Sequence, residues 1–182
     1  MKVTALVGPV LTLLAMTAVA CGLPPSTSAA NGPFPARPYS LDTARIDPCT
    51  GLTSQQRRAL SVQTARHDEG PFGPRCIWLD GKGRSFTLSV FDGGATAALE
   101  RGRNPLLTTA AGFGAVRFTP PEAQGKNGVN CQFVIDVADA SALAVGLDVN
   151  NLMARPVTTE QACTEVEARA RDILETLHAQ QS

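Results

Sequence analysis

Five cysteines carry most of the chemistry that this 182-residue sequence offers. Cys21 closes an apolar N-terminal segment, and the other four are spread over the rest of the chain: Cys49, Cys76, Cys131 and Cys163. An even number of cysteines in an exported chain predicts disulfides, and four cysteines allow three pairings. No C-x-x-C spacing occurs, which removes the usual zinc-ribbon and thiol-redox motifs.

Residues 1–20 predict export. Lys2 supplies a positive start, an uncharged apolar stretch follows, and small residues precede Cys21, which is the layout of a secretory signal peptide. Ala18-Val19-Ala20-Cys21 resembles a bacterial lipobox, although Leu is usual where Ala18 stands. The cysteine of a lipobox is acylated and becomes the first residue after cleavage, so we predict that Cys21 holds the protein on a membrane. The alternative is an ordinary cleaved signal that leaves Cys21 as a free thiol.

One further cluster, His67-Asp68-Glu69, has residue types that bind metals or act as acid and base. A site needs ligands that converge from other parts of the chain, and the second histidine, His178, is distant in sequence. We therefore expect a solvated turn at His67 and no metal, cofactor or catalytic residue. Serine-nucleophile motifs and phosphate-binding loops are absent, so the sequence does not predict an enzyme.

Composition excludes a nucleic-acid partner and sets the domain boundaries. Basic and acidic residues are balanced at 16 each, without a basic stretch. Residues 22–40 contain five prolines among mostly small residues, which is typical of an extended linker. We predict a signal peptide over 1–20, a lipidated cysteine with a disordered stalk over 21–45, and one folded domain over 46–180.

Within that domain, hydrophobic periodicity and capping patterns predict the order helix, hairpin, helix, strand, hairpin, helix. Capping boxes at Thr53/Gln56 and Thr158/Gln161 mark the first and last helices. The remaining segments are predicted as follows: loop 67–74, strands 76–79 and 85–91 around a turn at 80–83, helix 95–101, strand 115–119, loop 122–130, and strands 131–137 and 143–149.

The last helix carries an apolar stripe: Ala162, Cys163, Val166, Ala170, Ile173, Leu174 and Leu177. Its exposed side offers Glu165/Arg169 and Glu167/Arg171 at i,i+4 spacing. Cys131 lies on the apolar face of its strand, so packing of the helix on the sheet predicts a Cys131–Cys163 disulfide and leaves Cys49 to pair with Cys76. The predicted fold class is α+β, an antiparallel sheet of about five strands with helices packed on one face and two disulfides.

The order of these elements resembles a known family. The residues concerned are Asp47-Pro48-Cys49, Cys76-Ile77-Trp78, Gly112-Phe113-Gly114-Ala115, Cys131 and Cys163. Over roughly residues 46–178 the chain resembles the actinobacterial lipoproteins grouped as domain of unknown function 3558. The resemblance implies an exported lipoprotein on the outer face of the cell membrane, and it implies no catalytic residues.

The leading functional hypothesis is a non-catalytic, lipid-anchored extracytoplasmic domain that binds a ligand or protein partner in the cell envelope. Binding would use the loops at 66–75 and 120–130 or an uncovered sheet face. Two alternatives stay open. One is an envelope hydrolase or metal-binding protein that uses His67, Asp68 and Glu69, and the other is a purely structural envelope protein.

Overall fold

A computed structural model of the chain describes residues 32–70, 73–102, 104–119 and 128–182. The predicted signal peptide and Cys21 lie outside these residues. Among the described helices, none is long and apolar enough to cross a membrane.

The centre of the fold is one antiparallel sheet of seven strands in the order β1-β2-β3-β7-β6-β5-β4. The strands are β1 (Thr64–Gly70), β2 (Gly73–Leu79), β3 (Arg84–Asp92), β4 (Leu106–Ala110), β5 (Phe113–Phe118), β6 (Gly128–Ile135) and β7 (Ser141–Asn150). The helices are α1 (Ser54–Ala59), α2 (Gly94–Arg101) and α3 (Thr159–Gln181), with 3-10 turns at Thr43–Arg45 and Pro48–Thr50. The predicted α+β class is confirmed, but the sheet has seven strands rather than about five.

The two additional strands are the edges of the sheet. The predicted loop 67–74 is wrong, because most of it forms β1 and the start of β2, which pair from Thr64↔Leu79 to Gly70↔Gly73. No apolar alternation marks β1, since neither of its faces is buried. At the other edge, β4 is similarly short of buried side chains. Backbone pairing with the neighbouring strand, rather than burial, defines both edges.

The sheet is covered on both faces. On one face, the predicted stripe of α3 packs against inward side chains of β3, β6 and β7 to form the larger core. On the other face, α2 packs with Phe91, Val116 and Val134 in a second apolar cluster. The expectation of helices on one face is therefore wrong for α2. The sequence did not indicate this because α2 buries only small side chains, chiefly alanines.

The segment before the first 3-10 turn is part of the folded domain. Phe34 and Leu41 are buried, and the Leu41 amide donates to the Val137 carbonyl oxygen at 3.1 Å. Tyr39 stacks on His178 of α3, with ring centroids 3.9 Å apart. The predicted disordered stalk over 21–45 is thus corrected from Phe34 onward, because these apolar side chains complete the core.

Both predicted disulfides are confirmed: Cys49 is bonded to Cys76, and Cys131 to Cys163. Both capping boxes are also present. The charges on α3 pair differently from the prediction. Glu165 forms an ion pair with Arg84, because the sheet brings the start of β3 within reach of the helix. Arg169 instead forms an ion pair with Asp172, three residues later in α3.

Candidate functional site

His67 lies in β1 directly opposite Cys76, next to the Cys49–Cys76 disulfide. Its Nδ1 atom is 3.7 Å from a carboxylate oxygen of Asp47, and the two side chains are 70% and 51% exposed. Asp47 is held in place because its Oδ1 accepts the Cys49 backbone N–H at 2.9 Å. The result is an exposed histidine–carboxylate pair above a disulfide.

The pair lies close to a third side chain of a type that can bind metal. The potential ligand atoms of Asp47, Cys49 and His67 lie within 4.8 Å of one another. However, the Cys49 sulfur is bonded to Cys76 and is not a thiolate, which is the form that binds metal. Two ligands remain among the described residues, whereas protein zinc sites use three or four protein ligands. The residues therefore do not fit a zinc site.

The predicted cluster of His67, Asp68 and Glu69 does not converge. Successive side chains of a strand point to opposite faces, so Asp68 lies on the face away from His67. There Asp68 accepts a hydrogen bond from Arg75 Nε at 2.8 Å, and this bond lowers the pKa of the Asp68 carboxyl group. Glu69, two residues along β1, shares the face of His67, so the three side chains are divided between two faces and do not form one site.

A groove of about 370 Å³ lies where β3 begins and α3 begins; it is lined by Arg84, Arg155, Pro156, Val157 and Gln161. Arg84 Nη2 donates a hydrogen bond to Glu165 Oε2, and the buried Arg84 Nε atom has no hydrogen-bond partner. Arg155 is exposed and has no ion-pair partner in the described part of the chain. The groove therefore has the Arg155 guanidinium, which has no ion-pair partner among the described residues, beside the Arg84 guanidinium, which is paired with Glu165.

Two turns position these arginines. Asp80 is buried, and its Oδ1 accepts the backbone N–H groups of Lys82 and Arg84 at 2.7 and 3.0 Å. This arrangement fixes the start of β3. After β7, the amides of Met153 and Ala154 donate to the Asn150 carbonyl oxygen, which turns the chain toward Arg155. Leu152 and Met153 on this turn are 73% and 67% exposed.

Sequence reasoning did not identify this groove, because Arg84 and Arg155 are far apart in sequence and neither belongs to a motif. Leu152 and Met153 form an exposed apolar pair in the turn just before Arg155, but neither residue lines the groove. Of the predicted binding regions, 66–75 belongs to β1 and β2 where it is described, and 128–130 begins β6. Residues 71–72 and 120–127 lie outside the described residues.

Comparison with known proteins gives one match. A family model described as "Protein of unknown function (DUF3558)" matches residues 16–176. The matched span includes all four cysteines of the two disulfides and the residues that line the groove. No curated protein and no solved structure matches the chain.

Proposed function

The chain belongs to the DUF3558 family of proteins of unknown function, and from this premise we propose that it is a non-catalytic binding domain on the outer face of the cell membrane. In this proposal, acyl chains on Cys21 hold the protein there. The leader over 1–20 and the lipobox-like Ala18-Val19-Ala20-Cys21 support it.

The observation that carries the proposal is the pairing of four cysteines into two disulfides. Disulfides of this kind persist in oxidising compartments and are rare in the cytosol. Cys131 and Cys163 are almost fully buried in the core, so their bond is part of the fold. An exported location agrees with both the leader and the paired cysteines.

The anchor is tested with Cys21→Ser in the full chain, expressed in a bacterial host with lipoprotein processing. We expect the parent protein to stay in the membrane fraction with an intact mass that includes acyl chains and lacks residues 1–20. The variant should lose the acyl mass and the membrane association. A parent protein recovered from the cytosol with an uncut leader and free thiols would overturn the proposal.

The groove is the proposed binding site, and its chemistry favours an anionic group of an envelope component. Arg155 supplies a cation without an ion-pair partner among the described residues, and the Gln161 side chain adds a polar group at the wall. Pro156 and Val157 supply an apolar contact. A guanidinium binds a carboxylate or phosphate through paired hydrogen bonds, so the expected ligand carries one of these groups.

Native mass spectrometry of protein purified from its host membrane tests this site. We expect a co-purified anionic adduct that is lost in Arg155→Ala. The matched control is Arg58→Ala, because Arg58 is also exposed but lies on α1, away from the groove. Retention of the adduct in the Arg155 variant, or equal loss in both variants, would assign binding elsewhere.

A further inference from the structure

The two edges of the sheet differ in a way that bears on association. The β1 edge carries Arg66, His67, Asp68 and Glu69 within seven residues. By contrast, the β4 edge reads Leu-Leu-Thr-Thr-Ala, without a charge. Natural edge strands are usually blunted by charge, proline or a covering segment. The β1 edge is protected by charge, whereas β4, which is five residues long and preceded by Pro105, has no charged residue.

The side chains of β4 are also exposed where an edge would need protection. Leu106 and Leu107 are 49% and 54% exposed, on opposite faces of the sheet. Together with Leu152 and Met153, they are the exposed large hydrophobic residues of the described part of the chain. The apolar surface at β4 therefore accompanies a free backbone edge.

The register shows which backbone groups are free. Ala110 pairs with Phe113 across Ala111 and Gly112, whose φ angles of 51° and 86° mark a tight two-residue hairpin turn. In such a hairpin the flanking pair is hydrogen-bonded, and the pairs alternate along the ladder. Leu107 and Thr109 consequently direct their N–H and C=O groups away from β5. No hydrogen bond to these groups exists within the described residues.

We propose that the β4 edge pairs with β4 of a second copy of this chain, in antiparallel orientation about a two-fold axis at Thr108. In that register Leu107 lies opposite Thr109 of the partner, and both backbone hydrogen bonds form at each such pair. Thr108 faces Thr108 of the partner, a favourable cross-strand pair. Leu106 lies opposite Ala110, and the two Leu107 side chains are diagonal neighbours on one face.

Self-pairing is favoured over a charged partner strand for two reasons. The sequence is uncharged from Asn104 to Val116, so two copies meet without like-charge repulsion. The same stretch offers a charged peptide no complementary group. A two-fold axis also closes the interface, whereas pairing of β4 with the β1 edge would produce an open chain of subunits.

A cysteine cross-link tests the register. In the proposed pair the two Thr108 Cα atoms are about 4.5 Å apart, as in a non-hydrogen-bonded antiparallel pair, which suits a disulfide. We expect the purified full-length Thr108→Cys variant to form a covalent dimer with a mild copper–phenanthroline oxidant. The matched control is Thr64→Cys, an exposed threonine on the opposite edge, which should stay monomeric.

A second variant distinguishes pairing from chance collision. Leu107→Lys puts a cation beside its symmetry mate, so adding it to Thr108→Cys should abolish the dimer while circular dichroism shows an unchanged fold. A folded Thr108→Cys protein that stays monomeric with a titratable thiol would overturn the proposal, as would equal cross-linking of Thr64→Cys. If Thr108→Cys is oxidised in the envelope fraction of the host and the cross-linked product does not have twice the mass of the chain, the β4 edge pairs with a different protein and the proposal is overturned.

Discussion

At the scale of single residues, Arg37 attaches the segment before the first 3-10 turn to the rest of the domain. Its Nε donates to Asp136 Oδ2 at 2.8 Å, its Nη2 to Oδ1 at 2.9 Å, and its Nη1 to Asp139 at 2.6 Å. The hydrogen bond to Asp136 is the main reason that the pKa of Arg37 is raised. Asp136 is 8% exposed, so the arginine compensates a carboxylate that is largely removed from water.

Arg37→Ala should destabilise the protein by about 2–3 kcal/mol, because it leaves the Asp136 carboxylate buried and unpaired. Urea unfolding of the full chain would measure this as a lower midpoint at unchanged slope. The control is Arg45→Ala, because Arg45 is an exposed arginine at the end of the first 3-10 turn. This substitution should change stability by less than about 0.5 kcal/mol. Equal effects would mean that the Arg37 contacts contribute nothing specific.

The lowered pKa of Asp68 predicts that the stability of the protein depends on pH. Because Arg75 lowers the pKa of the folded carboxyl group below its unfolded value of about 3.9, this contact stabilises the protein above that value. The stabilisation disappears as the pH falls through the folded pKa. Asp68→Asn should therefore lower the melting temperature at pH 7, and the difference from the parent should vanish in strong acid. Glu69→Gln on the same strand is the control, and a pH-independent difference for Asp68→Asn would contradict the assignment.

At the scale of elements, the predictable parts were those with a strong local signal. The seven apolar residues of the α3 stripe are its buried residues, and both capping boxes form. The central strands β3, β6 and β7 were predictable because large apolar side chains alternate with smaller or polar ones along them, even though both faces of the sheet are covered. The edges β1 and β4 were not, because an edge strand that buries few side chains carries no alternation.

The groove was less predictable than the fold for a different reason. Its position depends on how the turn before β3 meets the turn after β7, and the sequence separates Arg84 from Arg155 by most of the sheet. The disulfide pairing, in contrast, followed from one inference about packing, since Cys131 and Cys163 each lay on an apolar face. Local patterns thus predicted the elements that bury a face, and packing of two of them predicted the disulfides, but neither the edge strands nor the surface between the turns was predicted.

The capping box of α3 gives the prediction at this scale. The Thr158 hydroxyl oxygen accepts the Gln161 N–H at 3.2 Å, and Gln161 Oε1 accepts the Thr158 N–H at 2.9 Å. Thr158→Ala removes the first bond and should cost about 1 kcal/mol of unfolding free energy. Thr164→Ala is the matched control, since Thr164 is exposed within the helix and alanine has the higher helix propensity. A larger loss in the control would show that the cap is not the cause.

At the scale of the whole molecule, the two disulfides join different layers. Cys131–Cys163 connects the central strand β6 to α3, and Cys49–Cys76 connects the segment before α1 to β2. They close loops of 32 and 27 residues, which gives each a stabilisation of about 3–4 kcal/mol in the chain-entropy model. Because a domain has a net stability of about 5–15 kcal/mol, either loss would be severe.

Exposure, rather than loop length, should decide which disulfide opens first. Cys131 and Cys163 are 0% and 2% exposed, so a thiolate reaches their bond only after α3 leaves the sheet. Cys49 is only partly buried and lies beside the exposed His67, so we expect a reductant to reach its bond without detachment of α3. Under native conditions, graded dithiothreitol should therefore reduce Cys49–Cys76 first, and Cys131–Cys163 only as the domain unfolds. Alkylation and peptide mapping over time would show the order. Earlier loss of Cys131–Cys163 would mean that α3 is the less stable attachment, and simultaneous loss of both bonds would mean that Cys49–Cys76 is also protected until the domain unfolds; either result would contradict the prediction.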